Sequence, residues 1–159
     1  MKKLIYFLII ITFTNISFSA GTSSNSKDSS NYTKAYNLIK SAKKYEKKGK
    51  TEKALKRYSK AQKLLIESNK KKPLQADTLN YLGFTTRKLG DYKKGEEFYL
   101  QGLQIDPNHK GINEYLGELY VATDRINLAK ERLEVLKSCS CEEYEDLKEI
   151  INGNKKSKY

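Results

Sequence analysis

Residues 76–108 read ADTLNYLGFTTRKLGDYKKGEEFYLQGLQIDPN, and the stretch that opens at Lys110 repeats their skeleton. Asn80-Tyr81-Leu82-Gly83-Phe84 is answered by Glu114-Tyr115-Leu116-Gly117-Glu118. Gly83 and Gly117 stand 34 residues apart, as do Leu82 and Leu116, Gly95 and Ala129, and Tyr99 and Leu133. A fixed period of this length, with apolar residues at helical spacing, predicts a solenoid of helix-turn-helix units. Chains of that kind build an extended surface for recognition rather than a reaction centre.

Working outward, the second repeat predicts helices over 75–88 and 92–105, parted by Gly90-Asp91 and closed by the turn residues Asp106-Pro107-Asn108. The third predicts helices over 110–122 and 126–137, with Thr123-Asp124 at the turn. A first, degenerate repeat precedes them. Ala42, Tyr45, Gly49, Ala54, Tyr58 and Ala61 match Gly83, Thr86, Gly90, Gly95, Tyr99 and Gly102 at an offset of 41. The surplus of about two helical turns is expected to lengthen the second helix towards Pro73, which disfavours helix at Lys72. After the third repeat, Glu142 and Glu143 suit the start of a last helix, and Tyr144, Leu147 and Ile151 would give it one apolar stripe. The fold class expected is all-α: a superhelical solenoid of three hairpins (about 35–72, 76–109 and 110–139) and a capping helix over 141–151.

Small residues recur where the helices of a hairpin should come closest: Ala42, Gly83 and Gly117 on first helices, Ala54, Gly95 and Ala129 on second ones. Glycine inside a helix costs about 1 kcal/mol relative to alanine, so close packing must outweigh that cost. Tyr58, Tyr99 and Leu133 are the large residues expected to fill the space alongside.

This pattern resembles the tetratricopeptide repeat (TPR) family, across roughly residues 35–137. The second repeat supplies Leu79, Leu82, Gly83, Gly95, Tyr99, Gly102 and Pro107, and departs from the family at Thr86, where tyrosine is usual. The third supplies Leu116, Gly117, Tyr120 and Ala129, with Cys141 where proline is usual. The resemblance implies that first helices line a concave groove. The positions it places there include Ile39 and Lys43, then Asp77, Asn80, Phe84 and Arg87, then Glu114 and Glu118. Such a groove mixes cations, apolar anchors and carboxylates, as a cradle for a peptide or protein segment would; the alternative is a set of solvated helix faces. One TPR subclass clamps C-terminal carboxylates with Lys, Asn and Arg. Glu114 and Glu118 would oppose that ligand here.

The termini carry a different kind of signal. Lys2 and Lys3, the apolar run LIYFLIII over 4–11, and Ser17, Ser19 and Ala20 form the three-part pattern of a secretory signal peptide over 1–20, against the alternative of an uncleaved anchor. The run is short for a membrane span, which needs ~20 apolar residues. A periplasmic or secreted, bacterial setting is expected. Residues 21–31, GTSSNSKDSSN, read as a flexible linker and 152–159 as a disordered tail.

Charge is uneven. Residues 31–75 carry 15 Lys or Arg against 3 Asp or Glu, whereas 76–159 carry 13 against 15. A basic first repeat could dock anionic lipid or glycan at the cell envelope, or could be a solvated lysine-rich face. Nucleic acid fits an exported protein poorly.

Catalytic and metal chemistry lack the converging groups they need. His109 is the single histidine, and no phosphate-cradling glycine loop is present. No cofactor, metal or small-molecule substrate is implied, and a non-enzymatic binding module is expected. Cys139 and Cys141 could form a local bridge, a redox couple or two buried thiols; an oxidising compartment favours the bridge.

Overall fold

A computed structural model describes residues 25–157. The expected signal segment over 1–20 lies outside those residues. Among the described residues seven helices follow one another: α1 (Asn25–Glu46), α2 (Thr51–Lys71), α3 (Ala76–Lys88), α4 (Tyr92–Ile105), α5 (Lys110–Ala122), α6 (Ile126–Leu136) and α7 (Glu142–Ile151). The helices pair as three antiparallel hairpins, α1 with α2, α3 with α4 and α5 with α6, while α7 closes the stack against α5 and α6. Among the described residues there is no strand, and no helix is long and apolar enough to cross a membrane.

One turn is used three times. Gly49, Gly90 and Asp124 each take a left-handed conformation, with φ of 67°, 98° and 56°. The residue after each donates its backbone N–H five positions back: Lys50 to Tyr45 O (2.9 Å), Asp91 to Thr86 O (3.2 Å) and Arg125 to Tyr120 O (2.8 Å). This is the 6→1 bond of a Schellman ending, which satisfies a helix-terminal carbonyl and reverses the chain. Glycine takes the conformation freely, and aspartate is among the few other residues that visit it.

The core is a seam running the length of the stack. Ala42, Ala54, Tyr58, Ala61, Tyr99, Leu116 and Ala129 are wholly buried. At Gly83, an added Cβ would lie 2.5 Å from the Tyr99 ring, so the missing side chain is what lets that tyrosine cross the hairpin. Gly117 has the same place in the repeat but a different neighbour. A Cβ there would strike Leu147 of α7, so this glycine seats the capping helix. The surplus in the first repeat lengthens the second helix: α2 has 21 residues against 14 in α4.

Three expectations need correction. The flexible linker over 21–31 is helical from Asn25 onward. No proline or glycine lies between Gly21 and Gly49. Once Ala35, Ile39 and Ala42 anchor α1, extending it by a turn or two is easier than starting a helix. The tail over 152–159 is not disordered throughout: Asn152 to Ser157 turns back on the domain, with Asn154 and Lys155 N–H both donating to Glu149 O at 2.9 and 3.1 Å. On α7 the buried stripe is centred on Leu147 and Ile150, with Tyr144 and Ile151 only half-buried.

Candidate functional site in the concave face

The first helices, α1, α3 and α5, face inward along one edge of the stack, and touch one another there. In α3 and α5, burial extends around nearly the whole helix: Thr78 to Arg87 is buried except for half-buried Tyr81, and Ile112 to Tyr120 is buried throughout. A surface helix would keep one polar side in water. These two therefore form the inner layer of the fold, and the inward stripe is not an open trough along its whole length.

The residues expected in a groove fall into two groups. The first lies where α3 and α5 end. Lys43 of α1 sends its ammonium over the rings of Phe84 (4.6 Å) and Tyr115 (5.3 Å) and donates to the Tyr115 hydroxyl at 3.1 Å. Phe84 and Tyr115 pack as tilted rings with centroids 5.1 Å apart, and Tyr58 meets Phe84 edge-on at 5.6 Å. Arg87 donates to the Tyr115 carbonyl and stands 3.4 Å from Glu118, both side chains fully buried. Ile39, 1 % exposed, belongs to the same apolar cluster. Burial pushes the Tyr115 phenol far above its ordinary value. At Tyr58, burial does the same, aided by the hydroxyl's 2.8 Å hydrogen bond to Glu46.

The second group lies where α3 and α5 begin. Asp77, Asn80 and Glu114 line an open pocket of about 460 Å³ with Tyr81, Asp106, His109 and Glu143. Asp77 is largely exposed, whereas Glu114 and Asn80 are each only 5 % exposed. Asn80 Oδ1 is buried with no hydrogen-bond partner within the described structure. Burial lifts the Tyr81 phenol to about 12, so it stays neutral and able to donate.

His109 organises this end. Its Nδ1 accepts the Ile112 N–H at 3.2 Å and caps α5, which leaves Nε2 to carry the proton of the neutral ring and to donate to Asp77 Oδ1 at 3.2 Å. Sequence reasoning missed this role, because histidine is not one of the usual capping residues. Its place just after Asp106-Pro107-Asn108 was the available signal.

Away from the concave face, a disulfide joins Cys139 and Cys141 in the loop before α7. Among the described residues, no group of three or more His, Cys, Asp or Glu side chains is arranged to hold a metal ion. A smaller pocket, about 210 Å³, sits on the outer hairpin between Leu38, Tyr45, Lys53, Lys56, Arg57 and Lys60.

No protein-family model matches the sequence, and no curated protein matches it either. Among solved structures the chain is similar to the first TPR domain of Spaghetti (RPAP3), solved bound to an HSP90 peptide, SRMEEVD. The TM-score is 0.50 at 18 % identity, covering 77 % of this chain and 93 % of that one. Likeness at so low an identity speaks to architecture. Together with the seven consecutive helices, it establishes a tetratricopeptide-type helical solenoid.

Proposed function

We propose that the protein is an exported binding module, not a catalyst, whose concave face holds a peptide or protein segment. The observation that carries this reading is the pairing of a rigid aromatic–cation wall with an open pocket on one inward stripe. Recognition sites commonly combine buried aromatic anchors with a polar, wetter rim. The RPAP3 domain of similar architecture was solved with a peptide, which supports a segment of chain as the ligand class. That peptide is acidic. Here Asp77, Asp106, Glu114 and Glu143 surround the pocket, so the complementary segment is cationic. Export rests on the charged, apolar and small-residue pattern of 1–20. It is tested by the N-terminal sequence of protein recovered from the envelope: an intact Met1 there would defeat cleavage.

The test of the site is a peptide library screened against the full chain. Selected sequences should be enriched in Lys and Arg and should bind at least tenfold more weakly to the double variant Asp77→Lys/Glu143→Lys. Equal binding to both proteins, or no saturable binder at all, would defeat the reading.

A second reading draws on the outer pocket. Lys53, Lys56, Arg57 and Lys60 converge there over Leu38 and Tyr45 with no carboxylate in the lining. Arg57 is held by a 3.4 Å hydrogen bond to the Tyr45 hydroxyl and stacks on that ring. The site suits an anionic headgroup of envelope lipid or glycan. Lys43 is not part of such a surface, since it turns inward to Phe84 and Tyr115. Sedimentation with anionic vesicles, lost at high salt and in Lys53→Glu/Lys56→Glu, would support this reading; salt-insensitive sedimentation would oppose it.

A further inference from the structure

Polar chain ends usually remain loose, yet the segment after α7 is held at successive points. Gly153, with φ 76°, turns the backbone, and Asn154 and Lys155 N–H bind the Glu149 carbonyl. The Lys155 ammonium pairs with Asp146. Ser157 then reaches the inner layer: its hydroxyl donates to Glu118 Oε2 at 3.3 Å, although 39 residues separate the two. Glu118 Oε2 is the oxygen that faces Arg87, and Glu118 is wholly buried. The tail hydroxyl therefore meets the buried Arg87–Glu118 pair of the concave face.

The chemistry of the two partners matches. Residues 155–159 read Lys-Lys-Ser-Lys-Tyr. The face that Ser157 reaches carries Glu118 and, at its open end, Glu114, Asp77 and Glu143. We propose that the segment 154–157 is an intramolecular ligand of the concave face, and that an external partner must displace it with a segment of like composition, carrying lysine and hydroxyl side chains. This rests on the reading of that face as a peptide site and names both its ligand class and its control. A tether of a few residues gives a local concentration on the order of millimolar. An external copy of the tail with a dissociation constant of about 0.1 mM would then bind roughly tenfold more weakly to the tethered protein than to one whose tail is released.

The experiment uses a fluorescent synthetic peptide of residues 154–159 and three proteins followed by anisotropy. These are the full chain, the full-length double variant Lys155→Asp/Ser157→Asp, and a chain ending at Gly153. In the double variant the new carboxylates meet Asp146 and Glu118, which repel the tail without altering any helix. Circular dichroism verifies that all three keep their helices. The expected result is saturable binding to the released and shortened chains, about tenfold weaker binding to the full chain, and loss of binding when the peptide itself carries Ser157→Asp. Equal affinity for all three proteins overturns the proposal. So does failure of the released chains to bind the tail peptide while they bind library-selected peptides, an outcome that leaves the peptide site standing. If the released chains bind no peptide of either kind, the site reading falls together with the proposal.

Discussion

The two ends of the concave face are built from the same helices yet meet water differently. Asp77, Asn80, Phe84 and Arg87 lie along one stripe of α3, and Glu114 and Glu118 along the matching stripe of α5. At the helix starts the stripe opens into a pocket with an exposed aspartate. One or two turns later it is dry, with Arg87 and Glu118 fully buried against Tyr115. Helical spacing decides which way a side chain points; what lies above it decides whether the group is a contact for a partner or a strut of the fold. At the dry end Lys43 of α1 and the returning tail supply that cover.

The sharpest way to break this contrast is to remove one charge from the dry end. Glu118→Leu takes a buried carboxylate from beside the Arg87 guanidinium, and breaking a buried pair in this way costs about 3–5 kcal/mol. Urea denaturation should show a loss of that size. The double variant Arg87→Met/Glu118→Leu should recover most of it, and a single variant as stable as the parent would mean that this end is wet after all.

Next comes pH. The Tyr58 and Tyr115 phenols are held above their ordinary value of 10.0 in the folded chain and return to it on unfolding. The unfolded state thus releases these protons first as pH rises. Their contribution is whole below pH 10 and is lost as pH climbs beyond it. The melting temperature should fall above that pH, less steeply in Tyr115→Phe. At neutral pH the same variant loses the Lys43 hydrogen bond, a cost of about 1 kcal/mol.

The open end should be more forgiving. His109→Ala removes the α5 cap and should cost about 1 kcal/mol in the same urea titration. Asp77→Asn, at an exposed carboxylate, should change stability by no more than about 0.5 kcal/mol while weakening a cationic peptide. A large stability loss at Asp77 would erase the distinction between the two ends.

Much of the architecture could be read from spacing. The interval between Gly83 and Gly117 gave the repeat, and the extra turns before Pro73 appear in the longer α2. The interval could not say what each small residue makes room for, since the ring of Tyr99 and the side chain of Leu147 arrive from different elements. It set Phe84 and Arg87 on the inward stripe but could not show them covered, because burial there comes from α1 and from a tail that composition marks as loose. Ser157 has no signature of its own; its partner, Glu118, becomes visible only once the chain has folded.

The shared turn at Gly49, Gly90 and Asp124 has one more consequence. Each hairpin closes by bonds within itself, so the stack is modular at the level of the gene. Duplicating the 34-residue stretch from Ala76 to His109 in frame should yield a longer spiral with an intact lid, because α7 would still meet the same α5 and α6.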